Sequence, residues 1–218
     1  PLTVLKTHIE GISDGLIEKN RDEFEILLQQ VDDITEIISN MSDMIDAEKD
    51  FDSLKLEEFN PGVIVGKVVN SLRMQFAKKK ISLSFKNNLK TTIKSDKHKL
   101  GQAIYNILTN AYKFTGENGH VRVEGNVYND YLIIEIRDNG IGMTEEETLK
   151  IFNAYHKGNP DNSGDGLGLF IAQENIGRIK GDITVKSESG IGSTFTLRVP
   201  LIYFETENNK IDPSIDTK

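Results

Sequence analysis

The chain has 218 residues, with 34 acidic against 26 basic side chains and a formal net charge of −8. That balance repels phosphate backbones and argues against a nucleic-acid partner. The absence of cysteine excludes a disulfide framework and a thiolate metal site, and no apolar run approaches the roughly 18 residues of a membrane span.

Residues 2–48 read as two helices. Leu2, Leu5, Ile9, Ile12 and Leu16 recur at alternating steps of three and four, and so do Phe24, Leu27, Val31, Ile34, Ile38, Met41 and Ile45. This is the heptad seam of helices packed nearly parallel to one another. Gly15 and Glu18-Lys19-Asn20-Arg21 separate the runs, and Asn20 with Glu23 resembles a capping box for the second. The expected element is an antiparallel hairpin, two of which pair into a four-helix bundle. At about 1.5 Å per residue the second helix spans about 40 Å and the first about 25 Å, so the first helix is expected to begin before Pro1.

Residues 51–60 read as a charged linker, closed by Pro61-Gly62. An amphipathic helix is expected over 62–79, a strand at 81–85, a short strand near 91–94 and a helix over 96–114. Residues 121–127 and 131–137 form a hairpin around Asn129-Asp130. A helix is expected at 145–152, a polar, glycine-rich segment at 153–166, a helix at 167–178, strands at 182–187 and 194–199, and a disordered tail over 205–218. The fold class is α+β.

Four short motifs follow one another along this pattern. In Asn106-Ile-Leu-Thr-Asn110-Ala-Tyr-Lys113, the two asparagines and the lysine share one helix face. An amide oxygen suits Mg²⁺ beside phosphates, and the lysine adds a point charge. In Asp138-Asn-Gly140-Ile-Gly142-Met143, a carboxylate at a strand end can accept from an adenine amine, and the glycines let backbone approach a flat base. Gly164-Asp-Gly166-Leu167-Gly168-Leu169 opens a helix whose free N–H groups offer an anion site. A Rossmann reading fails there, since no parallel strand leads directly into these glycines. Gly190-Ile-Gly192-Ser-Thr194 adds a hydroxyl near the phosphates.

In this order the motifs resemble the Bergerat-type ATP-binding domain of the GHKL superfamily, shared by sensor histidine kinases, Hsp90, type II topoisomerase ATPases and MutL. The resemblance covers about residues 60–200 and implies an α/β sandwich with a mixed sheet covered on one face by helices. It assigns Mg²⁺ ligation to Asn110 with Asn106 beside it, adenine recognition to Asp138, and an aromatic beside the base to Phe114. It also places Gly140, Gly142, Met143, Gly164, Gly166, Leu167, Gly168, Leu169 and Thr194 around ATP. Ile151-Phe152-Asn-Ala-Tyr155-His156-Lys157 resembles the kinase phenylalanine box, with Tyr155 and Lys157 at lid positions and Asn153-Ala154 departing from it. Asn106 favours the kinases over the ATPases, which place a water-activating glutamate there.

The opening Pro1-Leu2-Thr3 resembles the end of the histidine-kinase phosphoacceptor box. The phosphorylated histidine is therefore expected upstream of residue 1, and none of the four histidines present, His8, His98, His120 and His156, has its context. The resemblance implies the cytosolic core of a sensor histidine kinase in two-component signalling, with residues 1–50 as the truncated dimerisation hairpin and 61–204 as the catalytic domain. Asn106, Lys113 and Lys157 would serve phosphotransfer. A response-regulator receiver domain and a second copy are the implied partners, and the parent chain would be anchored upstream in the cell membrane with this part on the cytoplasmic side. A GHKL-type ATPase or serine kinase, and a degenerate ATP-binding scaffold, are the alternatives.

Overall fold

The computed structural model describes residues 2–15, 20, 24, 27, 31, 54–156 and 166–202. Helix α1 (Leu2–Ser13) stops where Gly15 adopts φ +73°, a conformation that ends helices and suits glycine. Phe24, Leu27 and Val31 are helical, and the Phe24 N–H donates to the Asn20 carbonyl at 3.3 Å. The rest of the expected second helix, residues 51–53 of the expected linker and the expected tail lie outside the described residues.

Two helices form by patterns visible in the chain. Asn60 caps α2 (Pro61–Lys78) by accepting from the Gly62 N–H at 2.8 Å, with proline at the first helical position. Asp96 caps α3 (Lys97–Phe114), accepting from the His98 and Lys99 N–H groups at 2.9 and 3.1 Å. Val65, Val69, Leu72 and Phe76 of α2 and Leu100, Ile104, Ile107 and Leu108 of α3 are buried against each other and the sheet.

The main sheet has five strands in the order β2-β4-β5-β7-β6: β2 (Ser82–Asn87), β4 (His120–Tyr128), β5 (Tyr131–Asp138), β7 (Gly192–Pro200) and β6 (Asp182–Glu188). β2 and β4 are parallel and the other neighbours antiparallel, so the sheet is mixed as expected. The β4–β5 hairpin turns through Asn129 and Asp130 with φ +47° and +62°, the two-residue geometry that matches strand twist. Alternation along the strands sends Val121, Val123, Leu132, Ile134, Ile136, Phe195 and Leu197 to the buried face, where α2, α3 and α5 (Gly168–Arg178) cover them. Arg122, Glu135, Arg137 and Arg198 face the solvent.

Two segments differ from expectation. Glu57–Phe59, inside the expected linker, forms strand β1, pairing antiparallel with β3 (Ile93–Ser95). The helix expected over 145–152 is limited to α4 (Glu145–Thr148). Thr144 and Glu147 cap it reciprocally, but Ile151 must reach the core while Leu149 stays 79% exposed, and turns at 149–155 allow that.

Candidate functional site

Helix α3 presents the first motif. Its core stripe extends further round than amphipathicity alone predicts, because Asn106 is itself only 8% exposed. The Asn106 Nδ2 is buried without a hydrogen-bond partner, and an orphaned buried amide costs stability of about 1–3 kcal/mol unless something satisfies it. Asn110 and Lys113, one and two turns on, are partly exposed. The Lys113 ammonium lies 5.1 Å from the centre of the Phe114 ring. Lys79, at the C-terminus of α2, donates to the carbonyls of Tyr112 and Lys113 at 2.9 and 3.2 Å. It thus satisfies the last turn of α3 and holds the end that carries Lys113 and Phe114. Its burial pulls its pKa below the ordinary lysine value, with Glu117 acting the other way.

Asp138 ends β5 and sits 7% exposed between two loops. Its Oδ1 accepts from the Gly140 N–H at 2.9 Å and the Ser193 N–H at 3.2 Å. Both bonds fall on Oδ1, so neither uses Oδ2. Burial pushes the carboxyl up from its ordinary value, and the backbone N–H groups of Gly140 and Ser193 pull against that.

The glycines of this motif do something more specific than expected. Only Gly142 has positive φ, at +63°, and a Cβ there would run into the Glu188 carbonyl. At Gly140 a Cβ would lie 2.5 Å from the Phe114 carbonyl oxygen, and at Gly192 it would strike the Asp138 carbonyl. The glycines let protein backbones pack on one another around Asp138, so the end of α3, the end of β5 and the start of β7 meet there. Ser187 ties the same knot: its Oγ accepts from the Met143 N–H at 2.8 Å and lies 3.0 Å from the Ser193 Oγ.

The third motif opens α5. Its N-cap, Leu167, makes no side-chain capping bond, and the first N–H groups of a helix have no partner within it. A Cβ built on Gly168 would lie 4.0 Å from the Asn106 Cβ, which sets this helix start beside the orphaned amide. At Gly166, φ is +69° and a Cβ would lie 2.6 Å from the His156 carbonyl oxygen. The two ends of the glycine-rich segment therefore touch. Tyr155, expected at the lid, is 66% exposed with φ +63°. Lys157 and Gly164 lie outside the described residues.

Thr194 is a correction. It pairs with Arg137 and Lys186, both exposed on the face opposite the helices, because side chains alternate along a strand. The buried member is Ser193, whose N–H is bonded to Asp138. Counting back from Phe195 by the period of two would have identified it. Ser187 and Lys79 had no local signal, since their partners are distant in the chain.

Asn106 thus lies beside the α5 start, and Phe114 meets the loop that follows Asp138, with Asn110 and Lys113 between those two points on α3. Among the described residues no group of three or more His, Cys, Asp and Glu converges. A divalent ion here would rest on the asparagine amides and on ligand phosphates, a hard-oxygen set that suits Mg²⁺. A separate groove of about 590 Å³ between β1, α2 and α3 contains none of these residues.

Residues 95–202 match the family model described as "Histidine kinase-, DNA gyrase B-, and HSP90-like ATPase". The chain belongs to this family through that segment, and it carries the catalytic core of a sensor histidine kinase. Sensor histidine kinase RcsC of Salmonella typhimurium is 34% identical over 177 residues, which are 76% of this chain and 18% of that protein. This chain therefore spans less than a fifth of that relative's length. Among solved structures, Acinetobacter baumannii histidine kinase AdeS has TM-score 0.72 and 23% identity, covering 92% of this chain and 95% of the other. Histidine kinase ThkA, in complex with response regulator protein TrrA, has TM-score 0.71 and 19% identity over 92% of this chain and 57% of the other. These likenesses bear out the α+β fold with its mixed sheet. Among the described residues no helix is long and apolar enough to cross a membrane.

Proposed function

We propose that this chain binds Mg²⁺-ATP between α3, the β5–α4 loop and the start of α5 and presents its γ-phosphate to a histidine nitrogen, from which the phosphoryl group passes to an aspartate of a receiver domain. The observation that carries the reading is the buried, unpartnered amide of Asn106 beside the uncapped start of α5. A phosphate oxygen or a divalent ion satisfies that amide, because either end of the group can face the site. Asp138 Oδ2 accepts from the adenine amine, and Phe114 packs beside the base. The N–H groups of α5 and the Lys113 ammonium hold the phosphates. Mg²⁺, when bound, supplies charge that offsets the developing negative charge on the transferring group. Asn110 and Asn106 are its protein ligands. An amide at position 106 cannot take a proton from water, which favours transfer over hydrolysis. Tyr155, Lys157 and Gly164 belong to the lid end of this reading.

The relatives support the wider role. The name of RcsC states a sensor histidine kinase, and ThkA is held with a response regulator. The seam residues Ile9, Phe24 and Val31 are about half exposed in the single chain, as expected if a second copy completes a four-helix bundle. The parent chain is anchored upstream in the cell membrane, with this core on its cytoplasmic side.

Calorimetric titration with a non-hydrolysable ATP analogue and Mg²⁺ tests the pocket; no detectable heat of binding would refute it. Incubation with γ-labelled ATP tests the accepting group. Label is expected on an added phosphoacceptor hairpin and not on His8, His98, His120 or His156. Asn110→Ala is expected to lose about tenfold of the affinity measured with Mg²⁺ while leaving the affinity in EDTA unchanged. An equal loss in both conditions would remove Asn110 from the metal.

A further inference from the structure

Asn175 is a polar residue on the apolar stripe of α5. It is 7% exposed, between buried Ile171, Ala172 and Ile176. Its Nδ2 donates to the Gln102 Oε1 at 2.8 Å, across the interface between α5 and α3. Gln102 lies one turn before Asn106 on α3, and Asn175 lies two turns after Gly168 on α5. The two helices therefore touch at two levels, Gln102–Asn175 and Asn106–Gly168, and run antiparallel between them.

We infer that the Asn175–Gln102 hydrogen bond is a register pin that seats the first turn of α5 against Asn106, making both residues positioning residues for the phosphate end of the site. Buried apolar side chains of both helices, among them Ile104, Ile107, Ile171 and Ala172, belong to the core, and apolar burial is non-directional. Leu169, Ile171 and Ala172 would bury nearly as well after a small rotation or slide. A hydrogen bond of fixed length from a buried amide does not tolerate that. A slip of one turn moves α5 by about 5.4 Å, carries Gly168 away from Asn106 and leaves the Asn175 amide unsatisfied. Polar groups retained in an apolar interface have their best-attested use in fixing register at some cost in stability. This inference rests on the nucleotide reading only in naming what the seated helix start holds.

Asn175→Leu tests it, because leucine suits a buried helix stripe and Gln102, being half-buried, can turn its amide to water. The variant is expected to melt at or above the wild-type temperature. It is also expected to bind the ATP analogue with Mg²⁺ about threefold to tenfold more weakly, the worth of one neutral hydrogen bond. Gln102→Leu combined with Asn175→Leu should bind no worse than Asn175→Leu alone. Exchanging the amides, Gln102→Asn with Asn175→Gln, should recover most of the affinity. Hydrogen exchange in the nucleotide-free protein gives a readout that needs no ligand. The amides of Leu169–Ile171 should exchange faster in Asn175→Leu at unchanged melting temperature. Exchange and affinity both at wild-type values would overturn the pin. So would losses that follow a fall in melting temperature. If the wild type binds no nucleotide, the pocket reading falls and the exchange result decides the pin by itself.

Discussion

Asp138→Asn is expected to weaken ATP binding by about two to three orders of magnitude while leaving the fold intact. Asparagine keeps an oxygen for the N–H groups of Gly140 and Ser193, so the knot of loops survives. It replaces Oδ2 with an amine, which faces the adenine amine donor to donor. A site built to pair one polar group rejects its mismatch strongly, because both groups are then buried unpaired. The stability change has the opposite sign. Burial raises the pKa of Asp138 in the folded chain, so the folded state holds this proton more tightly than the unfolded state does. The stabilisation linked to that proton is full below the unfolded value and is lost as pH rises through the folded value. Asp138→Asn carries no such proton. Urea midpoints of the variant and wild type should therefore diverge, in favour of the variant, as pH rises through that window. A constant difference across the window would show that Asp138 ionises in the folded chain as it does in the unfolded one. An ATP affinity within threefold of wild type would remove Asp138 from the base site.

Much of this was legible because the signals were local. The stripes of α2 and α3, the caps Asn60 and Asp96, and the Asn129-Asp130 turn each lie within a few residues of what they specify. What was not legible came from pairings across the chain. Glu57-Glu58-Phe59 has no strand composition of its own and becomes β1 only by pairing with β3, more than thirty residues on. The expected 145–152 helix fails because burial of Ile151 outweighs the local helical preference. In the site, the residue types were legible and their partners were not. The sequence placed Asp138 and Gly192 in two separate motifs, and only the fold shows them in backbone contact, with Ser193 taking the inward position first given to Thr194. Asn106 shares a polar helix face with Asn110 and Lys113, yet it is buried where Gly168 of α5 comes close to it.

That backbone contact makes Gly192→Ala a substitution expected to cost the fold heavily, and Gly190→Ala its control. Both glycines have positive φ, +130° at Gly192 and +79° at Gly190. At Gly190 a Cβ meets nothing within 4 Å, so alanine there carries only the conformational penalty, about 1 kcal/mol. At Gly192 the new methyl strikes the Asp138 carbonyl and lies 2.8 Å from the Asn139 Cα. These are main-chain atoms that no rotamer change can move aside. Relief requires β7 to shift away from the end of β5, which breaks the Ser193 N–H bond to Asp138 and exposes the buried carboxylate. The expected cost is roughly 3 kcal/mol or more, which for a chain of this size lowers the melting temperature by roughly 6–12 °C. Gly190→Ala should lower it by about 2–4 °C. Because the shift moves Asp138, nucleotide affinity should fall in Gly192→Ala even well below its melting temperature and stay near wild type in Gly190→Ala. Equal melting temperatures for the two variants would mean that the start of β7 is loose enough to yield, and that the meeting of backbones at Asp138 does not hold the base site in place.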